Sequence, residues 1–328
     1  MTVRYTPGAT ITADNVMVFA GGRPALIAIL TFLESDIRIR IAETEYTPYW
    51  DMLERYNRAY DIVPSHEGNG FRPTTADYVG PASGPRSMVL LSNPCNPTGV
   101  TRRGVDLAAL VASASQADRG VLVDEAYELF QTPPESALAH VTDIDAMNLF
   151  VVGAATKGLQ APGIRIGWVV ASKANIEILG NFSSFGMGGV SHPSQRYALA
   201  LLDPSRVDQA RAAVPAYYAS QRARYGEAFA SLRLESFTGD GGFYHWCKLP
   251  EGTGAATRHR SRASSASRSG RCRRRRSTTT SPSCDGRCSV KGKRQRARSA
   301  SRVSSSARCS SSLACSATIS SSAFMLTS

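Results

Sequence analysis

Two uninterrupted apolar runs, Ser87–Ser92 (SMVLLS) and 120–124 (GVLVD), constrain this chain more than any other feature. Neither alternates apolar with polar residues, so each reads as a strand buried on both faces. Such strands need helices above and below the sheet, and residues 103–116 supply one between the two runs. Around them the same alternation recurs. Residues 15–19 (NVMVF) form a short apolar run ending in Ala20-Gly21-Gly22. Pro24 is expected to open a helix over 25–32, at a position where its missing N–H costs nothing. Residues 37–41 (IRIRI) alternate like a strand, with a helix near 49–60. Further strands are expected at 148–153 and 164–171. After Ser172 the pattern turns helical, with a long amphipathic stretch at about 205–234, and 242–249 (GFYHWCKL) reads as the first strand of a second domain. Strands interleaved with helices predict an α/β fold whose mostly parallel sheet is covered on both faces, with ligand chemistry in loops beyond the strand ends.

Composition matters here because it is uneven. The 328 residues carry a net charge of +12, which taken alone suggests a nucleic-acid binder. From Arg258 onward, however, there are 17 Lys+Arg against one acidic residue, Asp285, whereas residues 1–257 hold 21 basic and 25 acidic residues, a net of −4. Cys95 and Cys247 are the body's two cysteines and the other five follow Arg258. Two isolated cysteines make no disulfide framework, so the body reads as a protein of the reducing cytoplasm. The start lacks the apolar core of a signal peptide, and no run approaches the roughly 18 apolar residues of a membrane span. A soluble, cytoplasmic protein is expected.

Three polar motifs fall where the strands end. Asn93-Pro94-Cys95-Asn96-Pro97-Thr98-Gly99 follows the first buried run, and Asp124-Glu125-Ala126-Tyr127 closes the second. Ala154-Ala155-Thr156-Lys157-Gly158 follows the 148–153 strand, with Arg165 eight residues beyond Lys157. Singly, each has an ordinary reading: a capping aspartate, Asn-Pro turns, packing tyrosines, a Gly-Gly-Arg-Pro loop. In this order and spacing, together, they resemble the class I and II aminotransferases of pyridoxal-phosphate (PLP) fold type I.

The resemblance implies a large α/β domain with a mostly parallel, seven-stranded type of sheet and helices on both faces. A small α+β domain, here incomplete, follows it. The expected boundaries are 1–190 for the large domain and 191–253 for connecting helices and partial small domain. It also implies PLP as cofactor, held as a Schiff base by Lys157, which then serves as general base. Asp124 would face the pyridine nitrogen, and Asn96 and Tyr127 the phenolic oxygen. Arg165, with Gly21, Gly22 and Arg23 before a helix, would take the phosphate. Tyr46 would stack on the ring. The family usually has Ser three residues before the lysine, where this chain has Ala154, so Thr156 is the candidate hydroxyl. The activity implied is a ping-pong transfer of an amino group between an amino acid and a 2-oxo acid, in a homodimer; no membrane or metal partner is expected, and the basic tail is not expected to bring a nucleic acid.

Both ends depart from the family. The longer segment that precedes the glycine loop in the family has no counterpart before Gly21, so a truncated start is expected. The family's later arginine for the substrate carboxylate is not found, which leaves Asn96 alone for that role. Residues 254–328 are rich in Arg and Ser with one aromatic, Phe324, so they read as a disordered tail and as the product of a frameshift. Cys272, Cys284 and Cys288 lack the paired spacing of a zinc site. Alternatives kept open are a PLP-binding but impaired fragment, a carbon–sulfur lyase or decarboxylase of the same fold, and nucleic-acid binding through the tail.

Overall fold

The two apolar runs lie side by side. In the computed structural model, which describes residues 11–237 and 239–248, they become β4 (Ser87–Ser92) and β5 (Arg119–Asp124), every residue buried. They pair in parallel from Ser87 opposite Arg119 to Ser92 opposite Asp124. β1 (Val16–Phe19), β2 (Arg38–Ala42), β3 (Tyr60–Val63), β6 (Leu149–Ala154) and β7 (Gly167–Val170) complete a seven-stranded sheet of order β1-β7-β6-β5-β4-β2-β3. Only β7 runs against its neighbours, β1 and β6. The remaining pairs are parallel, so β2, β4, β5 and β6 end at one edge and deliver their motifs there.

Alternation of side chains along each strand divides the core in two. Met88 and Leu90 join Ile39, Ile41, Leu122, Phe150 and Val152 on one face. There they pack under α1 (Gly22–Phe32), α2 (Pro48–Arg55) and α5 (Lys173–Phe182). Val89 and Leu91 turn the other way, with Val121, Val123, Leu149 and Val151. α3 (Thr75–Val79), α4 (Gly104–Ser113) and the 3-10 turns between 137 and 146 cover that face. Each fully buried Leu or Ile contributes about 1.5–3 kcal/mol, so sheet and helices hold the strand ends in fixed register.

Several elements differ from the sequence expectation. α1 begins at Gly22 and not at 25, with Pro24 inside its first turn, where the N–H has no helical partner anyway. α2 stops at Arg55, and Tyr60 starts the edge strand β3, paired to β2 and tied to it by the Arg38–Asp61 ion pair. The strand expected over 164–171 is shorter, because a 3-10 turn at Pro162–Ile164 and a left-handed Arg165 precede it. α6 (His192–Leu201) and α7 (Pro204–Ser231) fill the helical stretch. α7 is the long helix expected, but it buries only Val207 and Pro215 and is not clearly two-faced. The strand expected over 242–249 is confined to β9 (Trp246–Lys248), paired antiparallel with β8 (Glu235–Phe237). Among the described residues no helix is long and apolar enough to cross a membrane and no group of side chains could hold a metal ion. The Arg/Ser-rich segment 254–328, with Cys272, Cys284 and Cys288, lies outside the described residues.

Candidate active site

The parallel register of β4 and β5 sets Ser92 beside Asp124, and the site grows from that pair. Asp124 is buried at the end of β5. Its carboxylate accepts a hydrogen bond from the Tyr49 hydroxyl (2.8 Å) and one from the Ala126 N–H (3.0 Å). Burial pushes its pKa up, against those two donors. Tyr49, fully buried in α2, sits edge-on to Tyr46 at 5.3 Å. An ionised carboxylate can accept about four hydrogen bonds, so Asp124 retains capacity for a further, cationic donor.

Ser92 organises the Asn-Pro turn. Its hydroxyl donates to Glu45 Oε2 (2.6 Å) and accepts from the Asn96 N–H (3.0 Å). Its own N–H also donates to Glu45. Burial drives the Glu45 carboxyl up to about 8 despite these donors. Asn96 is thereby fixed with its amide nitrogen 3.0 Å from the Tyr244 hydroxyl, which also lies 2.5 Å from the Tyr127 hydroxyl. Two polar groups from different loops thus converge on one oxygen.

Lys157 follows β6 in a tight turn. Its Nζ lies 5.6 Å from the Tyr127 ring centre and 5.1 Å from that of Phe243, with no ion pair among the described residues. Burial first, and the Arg23 charge second, hold its pKa below the ordinary lysine range. Arg23 in turn donates twice to the Tyr46 hydroxyl, at 2.7 and 3.2 Å. Thr156 is half-buried in the same turn, and Ala154 ends β6.

The glycine loop and Arg165 meet at the start of α1. A Cβ on Gly21 would lie 2.6 Å from Arg165 Nη2, and Gly21 holds φ +108°. A Cβ on Gly167 would strike the Gly21–Gly22 peptide at 2.5 Å. The guanidinium therefore rests against bare backbone, beside a helix start that no side chain caps. Arg165 Nη1 also donates to the Pro162 carbonyl (2.9 Å). A cation and free helix N–H groups facing one space are suited to a phosphate dianion. For PLP, then, the residues present fit: an acceptor for the ring nitrogen, a converging pair for the ring oxygen, a cradle for the phosphate and a lysine without an ion pair among the described residues.

Sequence reasoning singled out Gly21, Gly22, Arg23, Tyr46, Asn96, Asp124, Tyr127, Thr156, Lys157 and Arg165, and all of them fall in loops or element ends at this edge of the sheet. It passed over Tyr49, Glu45, Ser92, Phe243 and Tyr244. Tyr49 stands three residues after Tyr46 at helical spacing, the one signal available for it. Phe243 and Tyr244 lie in the segment 242–249, whose composition predicts a strand.

A sequence model described as aminotransferase class I and II matches residues 3–290. The chain is 27% identical over 277 residues to 1-aminocyclopropane-1-carboxylate synthase 4 of Oryza sativa subsp. japonica, which covers 74% of this chain and 54% of that protein. It is 33% identical over 170 residues to histidinol-phosphate aminotransferase 1 of Bradyrhizobium diazoefficiens, covering 52% of this chain and 45% of that one. A tetra mutant of Thermus thermophilus aspartate aminotransferase superposes with a TM-score of 0.69 at 21% identity, over 80% of this chain and 72% of the other, a likeness of fold. The chain spans about half the length of the curated relatives it matches.

Proposed function

We propose, because this chain belongs to the class I and II aminotransferases, whose members use pyridoxal 5'-phosphate, that it moves an amino group between an amino acid and a 2-oxo acid. The observation that carries this reading is the set of groups at one sheet edge. Asp124 has acceptor capacity to spare, Asn96 and Tyr127 converge on a single oxygen, Arg165 abuts the start of α1, and Lys157 has no ion pair among the described residues.

Bound there, the cofactor supplies an aldehyde that condenses with amines and a ring that draws electrons from the substrate's Cα. The protein's part is to hold, orient and move protons. Asp124 keeps the ring nitrogen protonated by offering a buried carboxylate, and Tyr49 orients that carboxylate. Arg165 and the first N–H groups of α1, with Gly21 and Gly22 as bare backbone, take the phosphate. Thr156 carries the hydroxyl of the lysine turn. Tyr46 covers the ring face, and Arg23 fixes Tyr46 through its hydroxyl. The depressed pKa of Lys157 leaves more of it as free amine at neutral pH, first as nucleophile and then as the base that takes the Cα proton onto Nζ. Asn96 is the one group assigned to the substrate carboxylate.

The two half-reactions follow one another at the same lysine, the first 2-oxo acid leaving before the second enters. A homodimer belongs to the reading, and the exposed Phe185, Tyr197 and Leu199 offer apolar surface for a second copy. The test is a screen of amino donors with 2-oxo acid acceptors in the presence of PLP. Transfer by the wild type and none by Lys157→Ala is expected, and equal transfer by both would overturn the assignment. Release of ammonia or carbon dioxide in place of transfer would instead identify a lyase or decarboxylase using the same lysine.

A further inference from the structure

Tyr244 reaches the site on a strap of glycines. The Gly239 N–H donates to the Thr98 carbonyl (3.0 Å) and the Gly241 N–H to the Gly99 carbonyl (2.9 Å). A Cβ on Gly239 would fall 1.9 Å from the Gly99 carbonyl carbon, so this approach is open only to glycine. Arg222, from α7, donates to the Gly242 carbonyl (2.6 Å) and the Asp240 carbonyl (3.0 Å), and the Asp240 carboxylate pairs with Arg103. The strap is therefore held on the Asn-Pro turn along its length, and it ends by laying the Phe243 ring near Lys157 and the Tyr244 hydroxyl between Asn96 and Tyr127.

Those two contacts are the ones that the reading above assigns to the cofactor's ring oxygen, and this inference rests on that reading. One position between Asn96 Nδ2 and the Tyr127 hydroxyl cannot hold two oxygens. We propose that the Tyr244 hydroxyl competes with the ring oxygen of PLP for Asn96 and Tyr127, so that loading the site requires Tyr244 to leave both. Tyr244 is then a positioning residue: through its hydroxyl it holds the Asn96 amide and the Tyr127 hydroxyl aimed at one point. Its ring packs on Phe243 at 4.5 Å and on Tyr127 at 5.6 Å, contacts that phenylalanine retains.

The experiment is equilibrium titration of the purified full chain with pyridoxamine 5'-phosphate, which shares the ring oxygen and forms no bond with Lys157, beside the same titration of Tyr244→Phe. Removing a competitor that makes two neutral hydrogen bonds is expected to tighten binding by about tenfold and to speed association. A gain of affinity is not something that damage to the fold produces. Unchanged or weaker binding by Tyr244→Phe, with the wild type binding well, overturns the competition and leaves the functional reading standing. Failure of both proteins to bind overturns the proposal together with that reading. Tighter binding that persists at the same ratio in a Tyr127→Phe background also counts against it, because the shared partner would then be irrelevant.

Discussion

Replacing Tyr49 with phenylalanine tests whether Asp124 is tuned by its buried neighbour. The substitution keeps a ring that is fully buried and deletes one hydroxyl, 2.8 Å from Asp124 Oδ2. Asp124 is left with the Ala126 N–H as its one described donor. A hydrogen bond to a charged group contributes about 1.5–3 kcal/mol, and that loss falls on the ionised carboxylate. Burial already raises the Asp124 pKa, and Tyr49→Phe raises it further. A ring nitrogen that must stay protonated pairs with the carboxylate and not with the acid. Affinity for pyridoxamine 5'-phosphate should therefore climb with pH as Asp124 ionises, and in the variant this climb moves to higher pH. Where Asp124 is still protonated the variant should bind about ten- to a hundredfold more weakly, with the gap closing once the carboxylate is ionised in both proteins. Calorimetric titration at a series of pH values reads this directly. Equal affinity of a folded Tyr49→Phe protein across the whole range would refute the reasoning, because Asp124 would then not be the group the ring nitrogen meets.

Two further perturbations address the same edge of the sheet. Glu45, near 4.3 in an unfolded chain and about 8 when folded, holds a proton in the folded state that the unfolded chain has lost between those values. Linkage then makes stability fall as pH rises through that window. Glu125 and Glu128, each pushed to about 7 by burial, act with the same sign. Glu45→Gln should remove one proton's worth of the slope, at most about 1.4 kcal/mol per pH unit, in denaturant unfolding curves between pH 5 and 8; an unchanged slope contradicts the burial argument. Gly21→Ala puts a Cβ 2.6 Å from Arg165 Nη2 at φ +108°, a strain of about 1–3 kcal/mol. It should lower the Tm and shrink the preference for PLP over unphosphorylated pyridoxal, whereas a preserved preference would place the phosphate elsewhere.

How much of this was legible in the sequence depended on what fixes each residue. β4 and β5 were readable because a strand covered on both faces has to be apolar throughout. β3 was not: Tyr60-Asp61-Ile62-Val63 is a four-residue edge strand with a charge in it, and its pairing to β2 is settled by tertiary contacts such as Arg38–Asp61. The motif residues were visible because strand ends carry polar residues in recognisable turns. Their supports were hidden. Tyr49 is an ordinary helical core residue until the sheet brings Asp124, 75 positions away, against its hydroxyl. Glu45 looks like surface charge, yet it is buried under Ser92. The GFYHWCKL segment has the composition of a strand, but the glycines before it let backbone lie on backbone at Gly99, and Tyr244 is drawn to the site in place of a sheet partner.

On the proposed function, Lys157 is the residue to which the cofactor would attach. Purified protein should be mixed with PLP, reduced with borohydride, digested and mapped by peptide mass. A near-visible absorbance band that reduction abolishes is expected, with the cofactor's mass found on the Lys157 peptide and absent from Lys157→Ala. Label spread over Lys173, Lys248, Lys291 and Lys293, or label retained by Lys157→Ala at the same level, would contradict that assignment.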